Sequence, residues 1–461
     1  AGAFGDVFDR RRLLLASQGF MLASATLLAV LTAEDLITPF LLLAFTFAIG
    51  AGQAVTRPSW QAIQPELVGR ALIPQASALG GVSINLARSV GPALGGVIVA
   101  VSGPEAVFAL NAVSFVAVLV VIARWRAPVR ESPLGAEHIG DALRSGARYA
   151  RSSPRLRAVL ARGTLFIVFA SALWALLPVT ARDDLGLGST GYGLMLAALG
   201  VGAVAGAALL PRVRARFSEN KMVAAATLAY AAVCAVIAFV HVEAVILPVL
   251  LVAGFAWIAV LSSLNATAQN VLPDWVRSRG LSLYLIVFAG GQSIGALVWG
   301  VFAEHTSTRA AFTAVAIGMA VTALPAMRYF RLRSTEGLDM RPSQHWSEPE
   351  MALDPAPTRG PVLVTVDYRV PPENADAFRE AMHPVGRARR RTGAQRWSLW
   401  QDGANPERFL ESYVVPSWEE HQRQHHERFT QTDRMFEERV RALLKEGTTP
   451  KAEHLLFAYE D

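Results

Sequence analysis

Only one cysteine, Cys234, occurs in 461 residues, and it lies inside an apolar stretch. A lone thiol excludes an intrachain disulfide, and when buried it behaves as a small hydrophobe. The sequence has no Cys/His spacing of the zinc-holding kind, and no glycine-rich loop ending in Gly-Lys to cradle a phosphate. That argues against a structural metal and against ATP-driven work by this chain alone. Charge is also scarce, at 17% of residues against 52% hydrophobic. The scarcity is patterned. Ten stretches carry at most one charge each: 13–33, 36–56, 71–103, 106–123, 163–181, 185–211, 222–240, 244–273, 280–303 and 310–327. None contains Asp or Glu.

What is present explains those gaps. A bilayer core is crossed by about 20 apolar residues in a helix, and each stretch is long enough. Counted in alternate connections, Lys and Arg number 23 on one side and 2 on the other, with nine Arg in 124–162. The positive-inside rule places the rich side in the cytoplasm. The same bias accounts for the net charge of +6, so nucleic acid is not an expected partner. The lipid bilayer is.

The first residues, Gly2-Ala3-Phe4-Gly5-Asp6-Val7-Phe8-Asp9-Arg10-Arg11-Arg12, place a carboxylate and a basic cluster at a helix boundary, where they pair with each other and with helix ends. This run resembles the loop between helices 2 and 3 of major facilitator superfamily transporters, matching at Gly2, Asp6, Arg10 and Arg11 and departing at Val7 and Asp9. The resemblance implies a latch on the cytoplasmic side; an ordinary basic juxtamembrane loop is the alternative. It also implies that 13–33 is helix 3 of a twelve-helix bundle and that 124–162 joins the two halves. Because the sequence opens on Ala1 rather than methionine, the expectation is a bundle lacking helix 1 and most of helix 2.

Gly91-Pro92-Ala93-Leu94-Gly95-Gly96 combines glycines that let helix backbones approach with a proline that loosens the helix. It resembles the helix 5 motif of proton-coupled exporters, which implies outward transport; a packing kink would look the same. Arg88, three residues after Asn85, either faces the substrate path or snorkels to the cytoplasmic end. Asn265 and Gln269 sit in a polar run with Ser262, Ser263, Thr267 and Asn270, while Gln53, Trp174, Trp257 and Gln292 add amides and indoles on other spans. Together they suit a polar, partly aromatic cavity for a small-molecule substrate, although any single amide serves equally as interhelical glue. The acidic residues Glu34, Asp35, Asp183, Asp184 and Glu304 all lie outside the ten stretches, so the coupling ion is not readable.

Composition changes after Arg333. Residues 334–360 are rich in Pro, Ser and charge, as a linker is. Beyond it, alternation at 362–370, 394–401 and 408–415 predicts strands, 372–391 predicts a helix closed by Gly393, Ser417 with Glu420 forms a capping box that opens a long helix toward Lys445, and 453–459 predicts a last strand. The order βαββαβ is ferredoxin-like. Ser417-Trp418-x-x-His421 resembles the dimeric α/β-barrel domains of the antibiotic-biosynthesis monooxygenase type, which implies pairing of two sheets. His421 and His425 share a helix face but lack a third ligand at useful spacing, so no metal is assigned and solvated or interface histidines are expected.

Leu173-Trp174-Ala175-Leu176-Leu177-Pro178 and Ser262-Ser263-Leu264-Asn265 resemble the transmembrane secretion effectors, the enterobactin-exporter-like group of that superfamily. The expected architecture is therefore an all-α membrane bundle of the major facilitator fold plus a C-terminal α+β ferredoxin-like domain. Its parts are 1–123, an incomplete first half; 124–162, a basic linker; 163–333, the second half; 334–360, a flexible linker; and 361–461, the cytoplasmic tail. The implied activity is proton-coupled export of siderophore-like or other hydrophobic small molecules across a bacterial inner membrane, without catalysis or cofactor. The alternative is a membrane-anchored sensor or monooxygenase-like enzyme acting through the tail. With the lone Cys234 replaced, Asp35→Cys should react with an impermeant maleimide in intact cells and Arg144→Cys only after the cytoplasmic face is exposed. The reverse pattern would overturn the orientation.

Overall fold

The computed structural model describes residues 10–68, 73–125, 139–273, 275–334, 337–343, 353, 356 and 359–458. Within these, the side chains of 57–59, 61–82 and most of 84–97 are outside the description. Two compact units are formed. One comprises Ala1–Ile139, Val159–Ala266 and Ser282–Ser334, and the other Gly140–Ala158, Thr267–Leu281 and Thr335–Asp461.

The first unit is helical. Its elements are α1 (Arg10–Ala33), α2 (Pro39–Val68), α3 (Ile73–Arg124), most of α5 (Pro154–Val179), α6 (Ser189–Arg214), α7 (Glu219–Phe239), most of α8 (Glu243–Val271), most of α9 (Arg277–His305) and α10 (Thr308–Tyr329). Among the described residues nine helices are long and apolar enough to cross a membrane. That follows from backbone chemistry: in hydrocarbon every N–H and C=O must bond within its own helix. The sequence stretches 71–103 and 106–123 appear as one run, α3, broken at Gly103 where φ is +79°. Glycine alone takes that value without strain, and a Cβ there would also collide with the Glu105 carboxylate. Helix α1 packs on α2 and α3, α3 on α6, and α7 on α10.

Close helix approach is found where the sequence reading did not place it. A Cβ on Gly202 of α6 would strike the backbone of Leu251, and one on Gly254 of α8 would strike the backbone of Leu199. These two glycines let α6 and α8 touch backbone to backbone. At Gly91 and Gly95 of α3 a Cβ would meet nothing within 4 Å among the described residues, and Pro92 and Gly96 have side-chain positions outside the description.

The second unit is built on a four-stranded antiparallel sheet in the order β2-β3-β1-β4, from β1 (Val362–Arg369), β2 (Arg396–Gln401), β3 (Arg408–Val415) and β4 (Lys451–Leu456). Alternation puts Val362, Val364, Val366 and Tyr368 of β1 and Phe409, Tyr413 and Val415 of β3 on the inner face. Helix α11 (Ala375–Thr392) presents Phe378, Met382 and Val385 at helical spacing to that face, and they close the core with Val440 of α13 (Gln431–Arg441). On the outer face Trp400 and Leu455 are more than half exposed, as is Phe457 just after β4.

Two expectations shift. The last strand is 451–456 rather than 453–459. The helix opened by Ser417 is short, α12 (Trp418–Arg423), followed by a wide π turn at Gln424–Arg428 and then α13. Ser417 does cap α12 by accepting from the Glu420 N–H at 3.2 Å. The Glu420 carboxylate, however, turns to Arg428 instead of back to the cap. A complete capping box forms at Thr430 and Asp433 and starts α13 anew.

The second unit also contains α4 (Ile139–Ser152), the start of α5, the end of α8 and the start of α9. Helix α4 is strongly amphipathic, with Tyr149 buried on one face. Part of the basic region expected to be a plain linker is thus an ordered helix.

Candidate functional site

Four helices of the first unit bring aromatic rings together. Trp174 and Phe166 come from α5, Tyr230 from α7, Trp257 from α8, and Tyr284 and Phe288 from α9. Trp257 is the hub. Its ring lies 5.3 Å from Trp174, 5.8 Å from Phe166, 6.3 Å from Tyr230 and 6.2 Å from Phe288, and Phe288 stacks on Tyr284 at 6.4 Å. Tilted and edge-on geometries match the ring quadrupole, and each such pair adds about 0.5–1.5 kcal/mol beyond its buried area. The Tyr230 hydroxyl donates to the Ala170 carbonyl at 3.1 Å, satisfying the one polar atom it buries. The Trp174 indole N–H is buried with no acceptor among the described residues.

Polar groups lie along α8. Ser263 and Thr267 are buried, Ser262 is half-buried, and Asn265, Gln269 and Asn270 are exposed on the helix surface. Arg214, at the end of α6, donates through Nη2 to Ser262 Oγ at 2.9 Å and Ser263 Oγ at 3.4 Å. In the sequence the 212–221 segment stands out only by its charge, and the reach of Arg214 into the polar run has no local signal. Gln292 on α9 is half-buried and Gln53 on α2 is exposed. Trp174 and Trp257 are brought together. Asn85 and Arg88 lie on α3 with side chains outside the described residues.

At the helix ends, arginines are tied to backbone. Arg11 donates to the carbonyls of Ala123 at 2.6 Å and Ile122 at 3.4 Å, where the helix dipole makes α3's end negative. Gly2 and Asp6 of the same motif are outside the described residues, as is the Arg10 side chain. Arg162 of α5 is buried and donates to Asn220 Oδ1 at 3.2 Å. The Asn220 amide in turn donates to the Met327 carbonyl at 3.1 Å, and its Oδ1 accepts from the Leu332 N–H at 3.2 Å. One asparagine thus pins α5, α7 and α10.

The tail has its own buried polar centre. Glu411 is fully buried on β3, accepting from the Tyr368 hydroxyl at 2.8 Å, the Trp397 indole at 2.8 Å and Arg389 Nε at 3.2 Å. Arg389 also pairs with Glu437 at 2.8 Å and lies over the Tyr413 and Phe429 rings. Burial and the Glu411 charge push the Tyr368 hydroxyl well above its ordinary value. Close by, the His421 ring lies 4.8 Å from both His425 and His454 and 5.4 Å from Trp418. His421 is fully buried, which corrects the expectation of a solvated or interface histidine. Its burial, helped by His454 and Arg389 and opposed by a hydrogen bond with Gln424, pushes its pKa down from 6.5 to about 3. His454, which completes the cluster from β4, gave no sequence signal because 33 residues separate it from His421. Among the described residues no three His, Cys, Asp or Glu side chains converge to hold a metal ion.

The comparisons with known proteins bear on the whole chain. The model of the transmembrane secretion effector family matches residues 1–460. The chain belongs to that family. It is 26% identical over 326 residues to the enterobactin exporter EntS of Escherichia coli O1:K1 / APEC, covering 69% of this chain and 76% of the relative. It is 25% identical over 342 residues to EntS of Escherichia coli O9:H4 (strain HS), covering 72% and 80%. Among solved structures, the human organic anion transporter MFSD10 (TETRAN) superposes with a TM-score of 0.55 at 21% identity, over 71% of this chain and 79% of that one. This secretion effector is a multi-pass membrane transporter of the major facilitator type, with a small four-stranded domain at its C-terminal end.

The His421 environment sets a pH dependence with a definite sign. A histidine whose folded pKa is depressed from 6.5 to about 3 contributes stability that is complete above the unfolded value and lost as pH falls toward the folded one. At about 1.36 kcal/mol per unit, its loss amounts to a few kcal/mol. Calorimetry in detergent should show the tail's unfolding midpoint dropping between pH 7 and pH 4, and dropping less in His421→Phe. Equal slopes in the two proteins would refute the assignment.

Proposed function

We propose that the protein is a secondary active exporter, coupled to protons, that moves siderophore-like or other hydrophobic small molecules outward across a bacterial inner membrane by alternating access. The observation that carries this reading is the aromatic cluster around Trp257. It is assembled from four helices and contains one buried indole N–H, that of Trp174, with no acceptor among the described residues. Planar, oxygen-bearing ligands stack on such faces and accept from such a donor. The name of the EntS relatives points to the same chemistry, and enterobactin is the substrate to test first.

In this reading Gln53, Asn85, Arg88, Trp174, Trp257, Asn265, Gln269 and Gln292 line the path. Gly2, Asp6, Arg10 and Arg11 form the latch, and Gly91, Pro92, Gly95 and Gly96 let α3 bend. Residues 1–123 and 163–333 are the two halves, joined by 124–162, and the 23-to-2 distribution of basic residues supports a cytoplasmic tail at 361–461 reached through 334–360. The tail serves binding and pairing rather than catalysis. Its outer sheet face, with Trp400 59% and Leu455 52% exposed, supports pairing with a second copy of the chain.

Inside-out vesicles carrying the protein should accumulate enterobactin when a proton gradient is imposed and stop when it is collapsed. Trp257→Ala and Arg88→Ala should each slow uptake roughly tenfold at unchanged expression, the loss of about 1.4 kcal/mol of transition-state stabilisation. Gradient-independent or absent uptake would refute the reading for this substrate.

Pairing has a separate measurement. Light scattering of the detergent-solubilised chain should give twice the monomer mass, falling to one on combining Trp400→Asp with Leu455→Asp. A wild-type monomer would remove the claim.

A further inference from the structure

Within the second unit, three parts of the chain far apart in sequence meet at α4. From the tail, Arg428 grips Glu420 through both guanidinium nitrogens, at 2.7 Å and 2.8 Å, a forked charge-assisted pair. The Glu420 Oε2 that accepts from Arg428 Nη1 also accepts from Arg148 of α4 at 3.3 Å. The Arg428 guanidinium also lies 4.9 Å over the ring of Trp275, in the turn between α8 and α9. A second tail arginine, Arg391, is paired with Asp433 and lies 5.7 Å over the ring of Tyr149. Tyr149 donates its hydroxyl to the Val271 carbonyl at the end of α8, at 2.7 Å, and meets Trp275 edge-on at 5.8 Å. Arg279 of α9 donates to Ser145 of α4 at 2.9 Å, and a Cβ on Gly146 would lie 3.2 Å from the Arg279 Cβ.

These contacts share two properties. First, they tie α4 and the tail to the end of α8 at Val271, the turn at Trp275 and the start of α9 at Arg279, and α8 and α9 continue into the first unit. Alternating access requires helix ends to separate on one side in each cycle. Second, the tail's hold among the described residues includes one ion pair, Arg148 with Glu420, and two cation–π contacts, Arg391 with Tyr149 and Arg428 with Trp275. Their charged groups regain hydration when both partners part together, whereas leaving one of them buried and unpaired is costly. Only 2% of the Arg428 side chain and 16% of the Glu420 side chain are exposed, so the hold is shielded while it is closed.

We propose that the tail is a clamp on the transporter: Glu420, Arg428 and Arg391, acting on Arg148, Trp275 and Tyr149 respectively, hold α4 and the ends of α8 and α9 together and bias the protein toward the arrangement in which those ends are closed. The proposal rests on the transporter reading. Its test needs no substrate, so a failure to carry enterobactin leaves the outcome informative.

The experiment uses the full-length protein in detergent with Thr267→Cys, a buried position near the end of α8, as reporter, in a Cys234→Ser background, and follows the rate of reaction with a water-soluble maleimide. Arg148→Ala breaks the clamp from α4 without altering the tail, and Glu420→Gln breaks it from the tail. Each should speed labelling about fivefold, the low end of known site-to-site couplings. Hydrogen exchange in peptides covering 140–158 and 267–281 should rise in both. Arg434→Ala removes an exposed tail pair with Glu438 and should change neither readout. Unchanged or slower labelling in Arg148→Ala overturns the proposal whether or not the Glu420 variant folds. So does faster labelling in Arg434→Ala.

Discussion

Moving a charged side chain to the centre of a membrane helix costs about 2.5–3.5 kcal/mol on insertion scales, and the placement of nearly every ionisable group in this protein answers to that cost. Carboxylates are excluded from all ten apolar stretches, and 23 of the basic residues gather in the connections of one side. Arginines that reach inward from helix ends find fixed acceptors: Arg11 the carbonyls that end α3, Arg162 the amide of Asn220, and Arg214 the hydroxyls of Ser262 and Ser263. Each acceptor is uncharged, so the guanidinium is solvated by protein without bringing a second charge into the membrane. The tail solves the same problem differently. There the fully buried Glu411 accepts from Arg389, Tyr368 and Trp397, so a guanidinium and two neutral donors stand together around one carboxylate.

The division between what was legible in the sequence and what was not follows from the range of the signals. Nine of the ten apolar spans, the strand alternation that starts at 362 and that at 408–415, and the cap at Ser417 are local patterns, and among the described residues they appear where composition and periodicity put them. The aromatic cluster is different. Trp174 and Trp257 stand out in an apolar span, but Phe166, Tyr230 and Phe288 carry no mark that separates a cluster member from ordinary core. The break between α12 and α13 had a signal that was passed over, since Thr430 with Asp433 three residues later is itself a capping box. His454 joins His421 only through the sheet, because β4 pairs with β1. The largest omission is α4. Its amphipathic pattern was present in 139–152, but what its faces contact, Val271, Trp275, Arg279 and the tail, lies more than a hundred residues away, beyond any local period.

The fold and the chemistry come from separate layers of the same residues. The likeness to MFSD10 at 21% identity speaks for how the helices are arranged and leaves the lining open. The reading proposed above assigns the lining to rings and amides, among them Trp174 and Trp257, and leaves to the framework groups such as Asn220, on which three helices converge.

Gly202 and Gly254 carry a consequence for motion. Helices that interlock through bulky side chains move past one another in steps, because each knob must clear the rim of its hole. Where α6 and α8 meet, both knobs are missing and backbone lies against backbone. Such a contact resists bending and separation, since any gap forfeits close dispersion contacts along both helices, but it offers little resistance to a small axial glide. The pair behaves as a rail inside the second half: stiff across its width and smooth along its length. A larger residue at either glycine would turn that smooth track into a notched one even in a protein that still reaches the membrane.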